Sequence, residues 1–191
     1  SQGWRPHFEM FDPENSGQAD VLPSMFTDGL AAGCIYGGYM SEPVRQWLDA
    51  HPGFPVVSFG EPGEYSVQSD NAKGIHDAVQ YLVAAGHRRI SMICGPRQYD
   101  IHHQSIQGFE KAAADFGLQL NEHSICEQHI EHLKGDEHDR ENIEFLDSLF
   151  SDPGQAPDAL ILSGRRLNSI AFYHLQRKGI RIPEDLSIIG I

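Results

Sequence analysis

The chain has 191 residues, 40% of them hydrophobic, with 27 Asp and Glu against 14 Lys and Arg and a formal net charge of −13. That length buries a real core, as one large or two small domains. The acidic balance argues against this segment itself gripping a phosphate backbone, which needs a basic face. No apolar run reaches the roughly 18 residues of a membrane span. The start, SQGWRPHFEM, has no basic stretch followed by an apolar core, so no signal peptide is expected. Cys34, Cys94 and Cys126 sit in apolar surroundings, are odd in number and form no CxxC pair, which predicts buried free thiols and a reducing, cytoplasmic setting.

Taken in chain order, residues 4–11 read as a strand, followed by the turn-rich DPENSGQ. Residues 19–30 carry a helical pattern in which Pro23 must lie in the first turn or break the helix. Residues 33–36 form a short buried strand. Ser41 is an N-cap for the helix EPVRQWLDA, with Glu42 and Pro43 suited to its first turn and His51-Pro52-Gly53 stopping it. Residues 55–59 make the next strand, and EPGE a turn.

From residue 70 the pattern is more regular. Asp70 or Asn71 caps a helix whose Ile75, Val79, Leu82 and Val83 share one face, ended at Gly86. Strand 90–94 follows, then a helical stripe of Phe109, Ala112, Ala113 and Phe116 closed by Gly117. Residues 124–128 are a strand, 138–150 a helix, 159–162 a strand, 167–178 a helix ended by Gly179, and 186–189 a final strand. Residues 60–70, diluted by Pro62, Gly63 and Ser66, divide the chain into lobes 1–69 and 70–191. Strands alternating with helices predict an α/β class of two doubly wound parallel sheets, which bind small molecules at the carboxyl ends of their strands.

The segments DNAKGIHDAVQYLVAAGHRRISMICGP, GFEKAAADFGL, PDALILSG and LQRKGIRIPEDLSIIG, in that order and spacing, resemble the effector-binding domain of the LacI family of bacterial transcription regulators. The resemblance covers nearly the whole chain, densely from Asp70 onward. It implies a type I periplasmic-binding-protein fold and two lobes closing on a small-molecule effector, usually a sugar or related metabolite. It also implies a homodimer and operator DNA read through a helix-turn-helix headpiece outside this chain. On that pattern both ends are expected to be cut, with the first strand–helix unit and the C-terminal return to the first lobe missing. The same fold in a periplasmic solute-binding protein is the alternative. No cofactor or membrane partner is implied.

Two positions depart from the family. An Arg that commonly precedes the Gly-Phe pair and meets effector oxygens is Ser105 here, and the usual Asn-Asp after strand 159–162 is Gly164-Arg165. Arg and carboxylate commonly hold neighbouring sugar hydroxyls bidentately. Their replacement points to an anionic effector meeting Arg165, such as a sugar acid or phosphate, or else Arg165 is a solvated helix start. Strand ends add Gly37 and Tyr39, Phe59, Tyr99 and Ile101, and His129, with Tyr99 or His129 suited to stacking on a ring and Arg97 as a further cation. The spacing of His129, His132 and His138 does not favour a metal site. The sequence has no GxSxG elbow, phosphate loop or dinucleotide fingerprint, so no enzyme is expected.

Overall fold

The computed structural model describes residues 5–8, 22–29, 31–37, 40–60, 63–128 and 135–191, the side chains of 135–138 and of Arg165 and Arg166 excepted. It divides into two compact units, Ser1–Ser69 and Asp70–Ile191.

The first unit contains α1 (Ser24–Thr27), β1 (Cys34–Gly37), α2 (Glu42–Ala50), β2 (Val56–Phe59) and β3 (Ser66–Val67), with a parallel sheet in the order β1-β2-β3. Its core joins Phe26, Met40 and Val44 to Tyr36, Trp47 and Phe54, the Phe26 and Trp47 rings lying 4.9 Å apart. On the opposite side of the strands, Ile35, Val57, Phe59 and Val67 are exposed.

Five expectations change in this unit, the first being the buried strand at 33–36, which is β1 with Ile35 82% exposed because nothing among the described residues of this unit covers that side of the sheet. Residues 5–8 are exposed and form no strand; Pro6 removes a ladder donor there. The rest of 4–11 lies outside the described residues. Among the described residues of the 19–30 segment, helix runs from Ser24 to Thr27, after Pro23, which holds φ −53° as the N-cap. Strand β3 lies inside the expected linker, and a two-residue strand has too few positions for alternation to reveal it. Ser41 stands at the α2 N-cap with extended backbone, but its side chain makes no capping bond.

The second unit contains α3 (Asn71–Ala84), β4 (Ile90–Cys94), α4 (Asp100–Phe116), β5 (Ile125–Glu127), α5 (Gly135–Leu149), β6 (Ala159–Leu162), α6 (Arg165–Arg177) and β7 (Ser187–Gly190). All strands are parallel, in the order β5-β4-β6-β7. Side chains alternate across the sheet, so each central strand feeds two cores. Ile90, Met92, Cys94, Ala159 and Ile161 pack under α3 and α4 against Ile75, Val79, Leu82, Ile106 and Phe109. Ile93, Leu160 and Leu162 face the other way, onto Leu146 and Leu149 of α5 and Leu167, Ala171 and Leu175 of α6. Burying a side chain of this size contributes roughly 1.5–3 kcal/mol.

Local chemistry sets the boundaries. The Asp70 carboxylate accepts from the Lys73 N–H at 3.0 Å, so Asp70 is the cap of α3. Gly117 takes a left-handed φ of +67°, and Leu118 N–H then reaches back to the Ala113 carbonyl at 2.9 Å to close α4. Gly108 lets α4 approach α3 closely: a Cβ there would lie 2.2 Å from the Ala72 carbonyl oxygen.

Candidate functional site at the carboxyl ends of β4, β6 and β7

From β4 the chain passes through α4 to β5 on one side, then through α5 to β6 on the other side of β4, and through α6 to β7. The order therefore reverses between β4 and β6. In open α/β sheets the crevice outside the carboxyl ends at such a reversal is where ligands bind. The segments at this edge are the loop from Gly95 to Tyr99, Ser163-Gly164 after β6, and the end of β7 at Gly190.

Backbone bonds fix this rim. Ser163 N–H donates to the Ile93 carbonyl at 2.9 Å, Ile191 N–H to Leu162 at 2.9 Å, and Gly164 N–H to Ile191 at 3.2 Å. Gly164 caps α6 at φ +140°, a conformation open to glycine and closed to most residues with a Cβ. The Arg97 Nε donates to Glu127 Oε1 at 2.7 Å and its backbone N–H to Oε2 at 3.0 Å, tying the β4 loop to the end of β5. The Glu127 carboxylate raises the Arg97 guanidinium further above its ordinary range, so this cation is already neutralised by a neighbour.

Two polar side chains occupy space opened by glycines. The His102 ring, in the first turn of α4, covers Gly95 so closely that a Cβ there would lie 2.3 Å from Nε2. The Asn168 amide, on α6, lies where a Cβ on Gly190 would come within 2.6 Å of Nδ2. His102 Nδ1 and Asn168 Oδ1 are buried with no hydrogen-bond partner among the described residues. Burial lowers the His102 pKa, which favours the neutral imidazole with one donor and one acceptor nitrogen. Unsatisfied buried polar atoms are rare in folded proteins and concentrate where a ligand, water or strain supplies the missing term.

Of the residues expected from sequence, Tyr99, Ile101 and Ser105 fall on one stretch, the N-cap and first turns of α4. Tyr99 meets His102 edge-on, with ring centroids 6.3 Å apart, and Ile101 is exposed. Ser105 is buried, and its hydroxyl donates to the Ile101 carbonyl at 2.9 Å. Arg165 is the first residue of α6. Gly37 and Phe59 are register partners at the ends of β1 and β2 in the first unit. Tyr39 and His129 lie outside the described residues, as does His132. Asn168 went unrecognised as a sequence candidate, although its signal is simple: an amide three residues before Ala171 on the inward stripe of α6. Among the described residues no three His, Cys, Asp or Glu side chains are grouped to hold a metal ion. No helix of the described residues is long and apolar enough to cross a membrane.

A two-unit α/β chain with parallel sheets and a switch-point crevice is of the periplasmic-binding-protein class. The periplasmic binding protein-like domain family matches residues 79–191, and the chain belongs to it. Within that family it is an effector-binding domain of the kind found in LacI-family regulators. It is 31% identical to the HTH-type transcriptional repressor CytR of Escherichia coli K12 over 125 residues, 65% of this chain and 34% of that protein. It is 28% identical to the HTH-type transcriptional repressor PurR of Haemophilus influenzae PittEE over 186 residues, 94% of this chain and 51% of that protein. The chain thus spans between about a third and about half of these relatives, which are repressors and not enzymes. Among solved structures, a LacI-family regulatory protein from Chloroflexus aggregans superposes with a TM-score of 0.72 at 24% identity, over 87% of this chain and 59% of that one. The transcriptional regulator CelR in complex with cellobiose superposes with a TM-score of 0.70 at 25% identity, over 87% and 50%.

Proposed function

We propose that this chain senses a small polar metabolite for a cytoplasmic, homodimeric bacterial transcription regulator whose operator DNA is read by a headpiece outside the chain. The observation that carries the reading is the pair of unsatisfied polar side chains, His102 and Asn168, beside the switch point of the second unit. Asn168 Oδ1 is an acceptor and calls for a hydroxyl or N–H donor. A neutral His102 offers one donor and one acceptor. A hydroxylated carbohydrate or derivative supplies both, and the relatives that include a ribose operon repressor and the CelR–cellobiose complex favour that class. Tyr99 and Ile101 provide apolar surface beside these groups, Ser105 supports the first turn of α4, and Arg165 meets an anionic group if the effector carries one. Gly37 and Phe59 are the corresponding strand-end candidates in the first unit.

No catalysis is required. An effector changes the regulator by binding two conformations unequally, and it shifts their ratio only by that difference in affinity. The test is a thermal-denaturation screen of the protein against neutral sugars, sugar acids, sugar phosphates and nucleobases. A true effector at about 100 times its Kd adds roughly 2.7 kcal/mol to stability. Asn168→Ala and His102→Ala should each abolish most of that gain. An effector whose stabilisation is unchanged in both variants would refute the assigned site. Chemical turnover of the ligand would refute the regulatory reading.

A further inference from the structure

At the opposite end of the same sheet, a groove of about 370 Å³ runs along the amino end of β4. Arg88 and Arg89 stand on its wall, and Ser91, Asn121 and Gln155 line it. In a chain with 27 acidic residues, none of the side chains lining this groove is acidic. The two guanidiniums are positioned without carboxylate partners among the described residues. Arg88 Nη1 donates to the carbonyls of Val83 at 2.9 Å and His87 at 2.7 Å, and Arg89 Nε to the carbonyl of Ala156 at 2.8 Å. Arg97 and Arg181, by contrast, are both held by acids.

The backbone of the two arginines is fixed by one carboxylate, that of Asp158, which is not among the groove's lining residues. Asp158 accepts from His87 Nδ1 at 3.2 Å, from Arg88 N–H at 3.3 Å and from Arg89 N–H at 3.2 Å. Its charge is thereby spread over donors of its own. Glu122 and Asp152 belong to a smaller neighbouring groove of about 230 Å³, which adjoins this one at Asn121 and Gln155. Ser91, on β4, also lines the groove and is 5% exposed. Two guanidiniums held by carbonyls, with a serine hydroxyl lining the same acid-free groove, have the donor set that an oxyanion requires.

The geometry points to a second ligand site here, one that takes phosphate or a small phosphomonoester at the amino end of β4. It is remote from the carboxyl-end crevice and does not depend on the effector reading. Arg88 and Arg89 would supply paired N–H donors to the phosphoryl oxygens, Ser91 a hydroxyl, and the Asn121 and Gln155 amides the rim.

The test is a titration of the 191-residue chain with inorganic phosphate at constant ionic strength set by chloride, read by amide chemical shifts of Arg89, Ser91, Leu118 and Asn121. The expected result is a saturable shift confined to this end of the sheet, weakened about tenfold or more in Arg88→Gln/Arg89→Gln. Arg88→Lys/Arg89→Lys keeps both charges, loses the fork and should fall between. Ser91→Ala should weaken binding with the fold intact. Glycerol phosphate binding more tightly than phosphate assigns the site to a phosphomonoester, and equal binding assigns it to free phosphate. Shifts that do not saturate, or that are unchanged in the Gln and Lys variants, overturn the proposal and leave the groove as solvated surface. Failure here would leave the screen against the carboxyl-end crevice unaffected.

Discussion

Cys94 and Cys126 are buried, one in each core of the second unit, and burial, which removes water from the thiolate, pushes both thiols up to about 12. Since the thiolate is the reactive form, both should resist a thiol reagent at pH 8 until the protein unfolds. Cys34 is half-buried and should label first among the three, a ranking that mass spectrometry of partly modified protein reads directly. Labelling of Cys94 at the Cys34 rate would contradict the packing described. Gly95 offers a second test at this scale. Gly95→Ala must displace the His102 ring, at a cost of about 1–3 kcal/mol for a forced side-chain shift. His102→Ala in the same protein should recover most of that loss, so a double-mutant cycle by urea denaturation should show clear coupling between the two positions.

At the level of elements, the α3–α4 contact depends on Gly108. A methyl there meets backbone at Ala72 and not a side chain that can swing aside, so Gly108→Ala should cost at the upper end of the roughly 1–3 kcal/mol range for overpacking, or more. The α5–α6 pair is clipped by Asp147, which accepts from Lys178 Nζ at 2.6 Å and from His174 Nε2 at 2.7 Å. These two partners, Lys178 first, hold the Asp147 pKa below its ordinary value, and Arg181 holds Asp185 down to about 2. A folded-state pKa below the unfolded one contributes stability that is complete above the ordinary carboxylate range and is lost as pH falls through the depressed value. The urea midpoint should therefore drop between pH 5 and pH 2, and Asp147→Asn should lower it at pH 5 while shrinking the drop. Both carboxylates are well exposed, so salt should blunt the effect.

Most elements were legible in the sequence because periodicity and punctuation agree. Strands 90–94 and 159–162 are bounded by Gly and Pro signals and buried on both faces, and they fall where expected. The α4 end at Gly117 was legible because only glycine readily takes that turn. The α5 and α6 starts each came a few residues earlier than the apolar stripe suggests, since a stripe marks the buried face and not the first turn. The short α1 falls inside the helical pattern expected at 19–30, whereas β3 was not legible, being too brief for any period to register. The site was legible in part. Gly37 and Phe59 fall at the ends of β1 and β2 and Tyr99 at the α4 N-cap, but burial of a single amide such as Asn168 depends on what Gly190 leaves open, which no local pattern records.

For the molecule as a whole, the central claim is that the second unit receives a small effector at the carboxyl ends of β4, β6 and β7. Its polar readers would be His102 and Asn168, on a scaffold shared with LacI-family effector domains. The most direct measurement is the amide-shift footprint of whichever compound stabilises the protein most in the thermal screen. The account predicts that shifts concentrate at Gly95, Tyr99, Ser163, Gly164 and Gly190 and vanish in His102→Ala/Asn168→Ala. A saturating footprint elsewhere, with these five amides unmoved, would contradict it.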